Sequence, residues 1–169
     1  MNKLSYSKII FIEKNYLNRR EEDMWHTGKH EYQLDSKNRM RLPASSRTEY
    51  GDVFYLSIDM DGSLLVRHKN DMEKMSLKLA EVSMSDKAAQ NAIRWFYEKT
   101  YEVKQDEQGR FVLPQELKDY AKINKNIIIS GVPRGWSIRS EENYNNIEAA
   151  AEEYKEFDDV VKKLQEYGV

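Results

Sequence analysis

The chain contains no cysteine. Disulfides, thiolate metal sites and a cysteine nucleophile are therefore excluded, and a reducing compartment is the natural setting. Long apolar runs are also missing. None approaches the ~20 residues that a membrane span needs. The apolar part of the N-terminus is only Ile9 to Ile12, followed by Glu13 and Lys14. That is too short for a signal-peptide core, and no small-residue cleavage site follows. The expected location is the cytoplasm, with no membrane partner.

Excess positive charge is absent as well. Lys plus Arg is 27 and Asp plus Glu is 29, a net charge of −2. A globally basic nucleic-acid binder is excluded, whereas a local basic patch is not. No Gly-rich phosphate loop, dinucleotide fingerprint or nucleophile elbow occurs. Of the three histidines, His26 and His30 have the i, i+4 spacing of a helical metal site, but their stretch reads as strand. The acidic pairs Glu141-Glu142 and Glu152-Glu153 read as solvated helix faces. No catalytic residue, metal or cofactor is expected, and the protein is not expected to be an enzyme.

What is present is a repeat. Residues 34–43 read Leu-Asp-Ser-Lys-Asn-Arg-Met-Arg-Leu-Pro, and residues 105–114 read Gln-Asp-Glu-Gln-Gly-Arg-Phe-Val-Leu-Pro. Asp35, Arg39, Leu42 and Pro43 match Asp106, Arg110, Leu113 and Pro114 at an offset of 71. A β-prone run precedes each motif, at 30–34 and 100–103. After each Pro comes a short polar segment that reads as a turn or two of helix, with Pro at its first position. Apolar runs follow at 53–58 and 127–132, then turns at Asp61-Gly62 and Arg134-Gly135, then last strands at 63–67 and 136–139. The order strand, turn, strand, short helix, strand, turn, strand thus occurs twice.

Helices fill the rest. Met72, Met75, Leu79 and Val82 make one apolar face. Ser85 is the expected N-cap of the next helix, whose core face is Ala89, Ala92, Ile93 and Phe96. Ser140 is expected to cap a last helix carrying Tyr144, Ile147, Ala151, Tyr154, Phe157, Val161 and Leu164, with Gly168 as its stop. Trp25, Trp95, Trp136 and Phe96 read as core or subunit-interface anchors.

The two motif loops are the candidate site. Asp35 and Asp106 suit turn chemistry, and Asn38 and Gly109 occupy equivalent positions that tolerate a left-handed backbone. A turn does not require Arg39 or Arg110. Around the first loop Lys37, Arg39, Arg41 and Arg47 cluster, with Asp35 the only acid near them. The second loop sets Arg110 against Asp106 and Glu107 and looks weaker. Arg can take guanine O6 and N7 with a bidentate pair, and Lys37 suits a phosphate. The bland alternative is a solvated hairpin tip with Arg39 paired to a carboxylate. Arg47 has a bland role too, shielding the short helix after Pro43.

The stretch from Met24 through Trp25, Gly28 and Leu34-Asp35-Ser36-Lys37-Asn38-Arg39 to Pro43 resembles the start of MraZ proteins. Their pattern has an early Met, an aromatic, a Gly, then Leu-Asp-x-Lys-Gly-Arg and a Pro four residues on. The second copy through Leu113-Pro114 and the stretch 127–140 also resemble that family, and the likeness extends to about residue 165. Asn38 departs from the usual Gly. The resemblance implies an α+β fold: two tandem AbrB-like swapped-hairpin repeats that form a pseudo-dimeric small β-barrel with flanking helices. The repeats would occupy 24–98 and 99–169, behind an extension at 1–23, which is read as a start placed too far upstream or a flexible arm. It further implies a homo-oligomeric ring that binds double-stranded DNA on the nucleoid. The bound elements would be short repeats upstream of the division and cell-wall genes, including its own. The contacts would come from Lys37, Arg39, Arg41, Arg47 and Arg110. The rival expectation is an oligomeric interaction scaffold of the same fold.

Overall fold

The structure is a computed structural model that describes residues 26–150 and 157–168. The run Val53–Ile58 (β3) is rich in β-branched and aromatic residues, which fit a pleated, half-buried surface. Its Phe54, Leu56 and Ile58 point to one buried face. A 3₁₀ turn at Met60–Gly62 returns the chain into Leu64–Arg67 (β4), pairing Ile58 with Leu64. The second repeat does the same with Asn126–Val132 (β7) and Gly135–Ser140 (β8), pairing Val132 with Gly135. The two hairpins join through β4 and β8, with Leu64 opposite Ile138.

The remaining strands cross between repeats. Lys29–Gln33 (β1) pairs with β7, with Lys29 opposite Ser130. Thr100–Lys104 (β5) pairs with β3, with Val53 opposite Lys104. The result is an antiparallel six-stranded sheet in the order β1-β7-β8-β4-β3-β5. Arg39–Arg41 (β2) and Arg110–Val112 (β6) pair with each other in a separate two-stranded ribbon. Each sequence repeat therefore lends its first strand to the other, giving a pseudo-twofold arrangement.

This is the mixed α+β, swapped-hairpin architecture that the resemblance implied. The small barrel is not closed, however. β1 and β5 are the two edges of the sheet and share no ladder. The ribbon covers the core instead. Met40 and Phe111 face inward at 4% and 1% exposure, and the Phe111 ring meets Phe54 edge-on at 5.0 Å. Leu42 and Leu113, just beyond the ribbon strands, are also buried in that core.

Two short helices follow the ribbon strands, Ala44–Tyr50 (α1) and Gln115–Tyr120 (α4). Pro43 and Pro114 stand at their N-cap positions, one residue before the expected place, with extended backbone. Between the repeats lie Lys69–Ala80 (α2) and Lys87–Glu98 (α3). Met72 is the buried residue of α2, with Met75, Leu79 and Val82 half-buried beside it. The cap of α3 is Asp86, not Ser85: its carboxylate accepts from the Ala89 amide at 3.0 Å. Ionised Asp is the better partner for a helix N-terminus. On α3, Ala89, Ile93 and Phe96 are half-buried, but Ala92 is exposed.

Glu141–Ala150 (α5) is capped by Ser140, whose hydroxyl accepts from the Asn143 amide at 3.1 Å. Phe157–Gln165 (α6) follows, and Gly168 ends the chain's helical turn at φ 76°. Ala151 and Tyr154 lie outside the described residues, as do Trp25 and residues 1–23. Trp136 is an interior anchor, its indole N–H donating to Ser46 at 2.9 Å. Trp95 is not, at 51% exposure. Among the described residues no helix is long and apolar enough to cross a membrane.

The ribbon is held down by its inner face, so the two faces should respond differently to truncation. Phe111→Ala is expected to cost about 3–5 kcal/mol, the usual loss for a buried aromatic. Val112→Ala, on the outer face, is expected to stay within about 0.5 kcal/mol of the parent. Urea denaturation followed by tryptophan fluorescence measures both.

Candidate nucleic-acid interface

The two motif loops have the same internal geometry. Asp35 Oδ1 accepts from the amides of Lys37 and Arg39 at 2.8 and 2.9 Å. Asp106 Oδ1 accepts from Gln108 and Arg110, both at 2.9 Å. In each loop the other carboxylate oxygen accepts from the arginine Nε at 2.7 Å, Asp35 from Arg39 and Asp106 from Arg110. The residue before each arginine is left-handed: Asn38 at φ 55° and Gly109 at φ 70°. Backbone bonds close both turns, Asn38 to Asp35 at 3.0 Å and Gly109 to Asp106 at 2.8 Å. Asp thus does two jobs: it builds the turn and fixes the guanidinium.

That pairing changes what the arginines can do. Nε is spent on Asp, while among the described residues the terminal nitrogens of Arg39 and Arg110 make no hydrogen bond. A guanidinium is planar and rigid, so holding Nε also fixes the plane of the remaining donors. Arg39 and Arg110 are 26% and 28% exposed, so both remain reachable from solvent. The carboxylate pairing expected as the bland outcome is therefore real, and it leaves part of each guanidinium unused.

The ribbon then gathers residues from both repeats. Side chains alternate along β2 and β6. With Met40 and Phe111 inward, Arg39, Arg41, Arg110 and Val112 share the outer face. The register sets Arg41 opposite Arg110 and Arg39 opposite Val112. Lys37 is exposed on the first loop.

Each short helix sends a cation to the other repeat's loop. Lys118 Nζ donates to Asn38 Oδ1 at 2.9 Å. Arg47, its counterpart at the same offset, lies across Gly109: a Cβ there would meet Arg47 Cδ at 2.9 Å. Arg47 Nε donates to the Leu42 carbonyl at 3.0 Å. Arg47 thus supports the start of α1 and the second loop together. Asn38, the departure from the glycine of the resembled pattern, holds a left-handed backbone and gives Lys118 an acceptor. Sequence reasoning missed Lys118 and the exposed Val112. The repeat offset from Arg47 was the available signal for Lys118.

The histidines take structural partners. His26 Nε2 lies 3.0 Å from Tyr50 Oη and 3.3 Å from Glu49 Oε1, and burial lowers its pKa. His30 packs edge-on against Trp136 at 5.5 Å. Among the described residues no group of His, Cys, Asp or Glu is arranged to hold a metal ion.

A family model described as "MraZ protein, putative antitoxin-like" matches residues 26–94 and 96–166, one match on each repeat. The chain belongs to the MraZ family. It is 35% identical over 142 residues to a protein of Mycoplasmopsis pulmonis named transcriptional regulator MraZ, covering 84% of this chain and 96% of that one. Proteins of the same name from Oenococcus oeni and Clostridium botulinum are 31% and 32% identical. They align over 83% and 84% of this chain and 96% and 98% of their own lengths. The MraZ match places both Asp-x-x-x-Arg loops inside the matched segments.

The amide bonds to Asp35 favour its ionised form first, and the Arg39 side chain adds to them, so its pKa falls from 3.8 to about 2. Asp106 is lowered for the same reasons, led by the amide of Arg110. A depressed carboxylate stabilises the fold fully above its unfolded pKa and loses that contribution as pH falls through the folded one. The loops should therefore stay closed at pH 4 and open on further acidification. Carboxyl-carbon NMR is expected to show Asp35 titrating near 2, and a midpoint at 3.8 would mean an open loop.

Proposed function

We propose that this MraZ protein is a sequence-specific, DNA-binding transcriptional regulator. It binds short repeated elements upstream of the division and cell-wall genes, its own gene included. It acts in the cytoplasm, on the nucleoid, as a homo-oligomeric ring. The observation that carries this reading is the outer face of the β2–β6 ribbon. It holds Arg39, Arg41 and Arg110 together, and Asp35 and Asp106 orient two of them.

The chemistry suits duplex DNA. The major groove admits a two-stranded ribbon, and a guanidinium held by Asp at Nε still has donors for guanine O6 and N7. Lys37 and Arg47 flank the ribbon as phosphate contacts. The net charge of −2 is no obstacle, since only this face need be basic. Asp35 and Asp106 would repel phosphates if unpaired, and their arginines neutralise them.

Two features support self-association. β1 and β5 are the edges of the sheet and, among the described residues, neither pairs with a second strand, which leaves an edge open to another chain. An open groove of about 570 Å³ between α2 and α3 is lined by Tyr55, Met72, Leu77 and Tyr97 among others. Several copies side by side would raise the effective concentration of each weak contact on repeated DNA boxes. The same groove favours the second reading, a protein-binding scaffold. The enzyme reading falls with the family, whose matched relatives carry the name of regulators.

Fluorescence anisotropy separates the two. The full chain is titrated with a duplex of the DNA upstream of its own gene and with a scrambled duplex. Arg39→Ala is expected to lower the preference for the upstream duplex by roughly 5- to 150-fold, the worth of one bidentate base contact of about 1–3 kcal/mol. No preference in the parent protein would leave the scaffold reading, and a preference unchanged in the variant would place the base contact at a residue other than Arg39.

A further inference from the structure

We propose that Arg41 acts with the second loop rather than the first. Arg41 and Arg110 form one phosphate-holding pair, so the chain meets DNA with two unequal ends: Arg39 reads, while Arg41 with Arg110 holds. This rests on the DNA-binding reading above and divides the labour within that surface.

In sequence, Arg41 belongs with Arg39, two residues earlier. Along a strand that spacing separates them by about 7 Å. The antiparallel register instead puts Arg41 directly opposite Arg110, and directly opposed Cβ atoms lie about 4.5–5.5 Å apart. The nearest basic neighbour of Arg41 on the ribbon thus comes from the other repeat. Arg39 faces Val112, which is 55% exposed and uncharged.

The charges follow the same division. The first loop sets Lys37 and Arg39 against Asp35 alone. The second sets Arg110 against Asp106 and Glu107, and Gln108 stands where the first loop has Lys37. By itself the second loop is an acidic tip, which a phosphate backbone would avoid. Arg47 lies across Gly109 with its Nε held by the Leu42 carbonyl, and Arg41 adds a second, exposed cation beside this tip. Among the described residues Arg41 makes no ion pair or hydrogen bond.

Like charges directly opposite each other on a ribbon destabilise it. A phosphate placed between Arg41 and Arg110 relieves that repulsion and accepts charge-assisted hydrogen bonds from both. Arg110 is already fixed by Asp106 through Nε at 2.7 Å, so only Arg41 has to be ordered on binding.

The test is a salt titration of the full chain with the upstream duplex and the scrambled duplex, read by anisotropy. Each phosphate neutralised contributes about 0.9 to the slope of log K against log salt. Arg41→Val, which makes the strand match Val112, is expected to lower that slope by about 0.9 per chain on both duplexes and to leave their ratio unchanged. Arg41→Gln, which keeps most of the side chain without its charge, is expected to do the same. Adding Gln108→Lys to Arg41→Val should restore the slope, because it returns a cation to the second loop. In double-mutant cycles Arg41→Val should couple to Arg110→Ala and be additive with Arg39→Ala. An unchanged slope, or coupling to Arg39 instead, would overturn the division while leaving DNA binding intact. A parent protein that does not distinguish the duplexes would overturn the DNA-binding reading, and this inference with it, before any variant is made.

Discussion

The ladder between Arg39–Arg41 and Arg110–Val112 is the contact on which the rest depends. It is only three residues long on each side, and it joins strands that are far apart in sequence. Its inner residues, Met40 and Phe111, cover the core of the six-stranded sheet, and its outer residues form the basic face. Stability and the candidate site are therefore two sides of one ribbon. Disturbing the packing of Phe111 against Phe54 would move the arginines on the opposite face as well.

The loops that flank the ribbon show how little chemistry is needed to orient a guanidinium. One aspartate closes the turn through two amides and takes the arginine Nε with its other oxygen. Both repeats use this device with the same distances to within 0.1 Å. An exposed ion pair of this kind adds little stability by itself. Its value lies in removing rotational freedom from a side chain that must present donors in a fixed plane. Lys118 on Asn38 and Arg47 across Gly109 extend the same support between repeats.

Much of this could be read from the sequence. The Asp and Arg of the duplicated motif, the left-handed positions Asn38 and Gly109, the short helices and the two hairpins all have local causes. Turn chemistry and strand periodicity act over a few residues, so a sequence displays them. What was not readable was register. Nothing local says that Arg41 faces Arg110, or that a valine two positions after Arg110 lies on the same surface. Exposure of Trp95 likewise depends on what α3 packs against, not on the residue type. The cap of α3 went to Asp86 because two neighbouring residues could both cap, and only geometry chooses between them. The open barrel has the same origin: a repeat implies paired strands but not whether the last edges meet.

The central claim is that one surface, assembled from both repeats, meets DNA. Hydrogen–deuterium exchange of the full chain, with and without the duplex from upstream of its gene, tests it directly. The account predicts slowed exchange at residues 36–41 and 107–112 together, with the α2–α3 face unchanged by the DNA. Protection confined to the α2–α3 face, or no change at either loop under conditions where the complex forms, would contradict it.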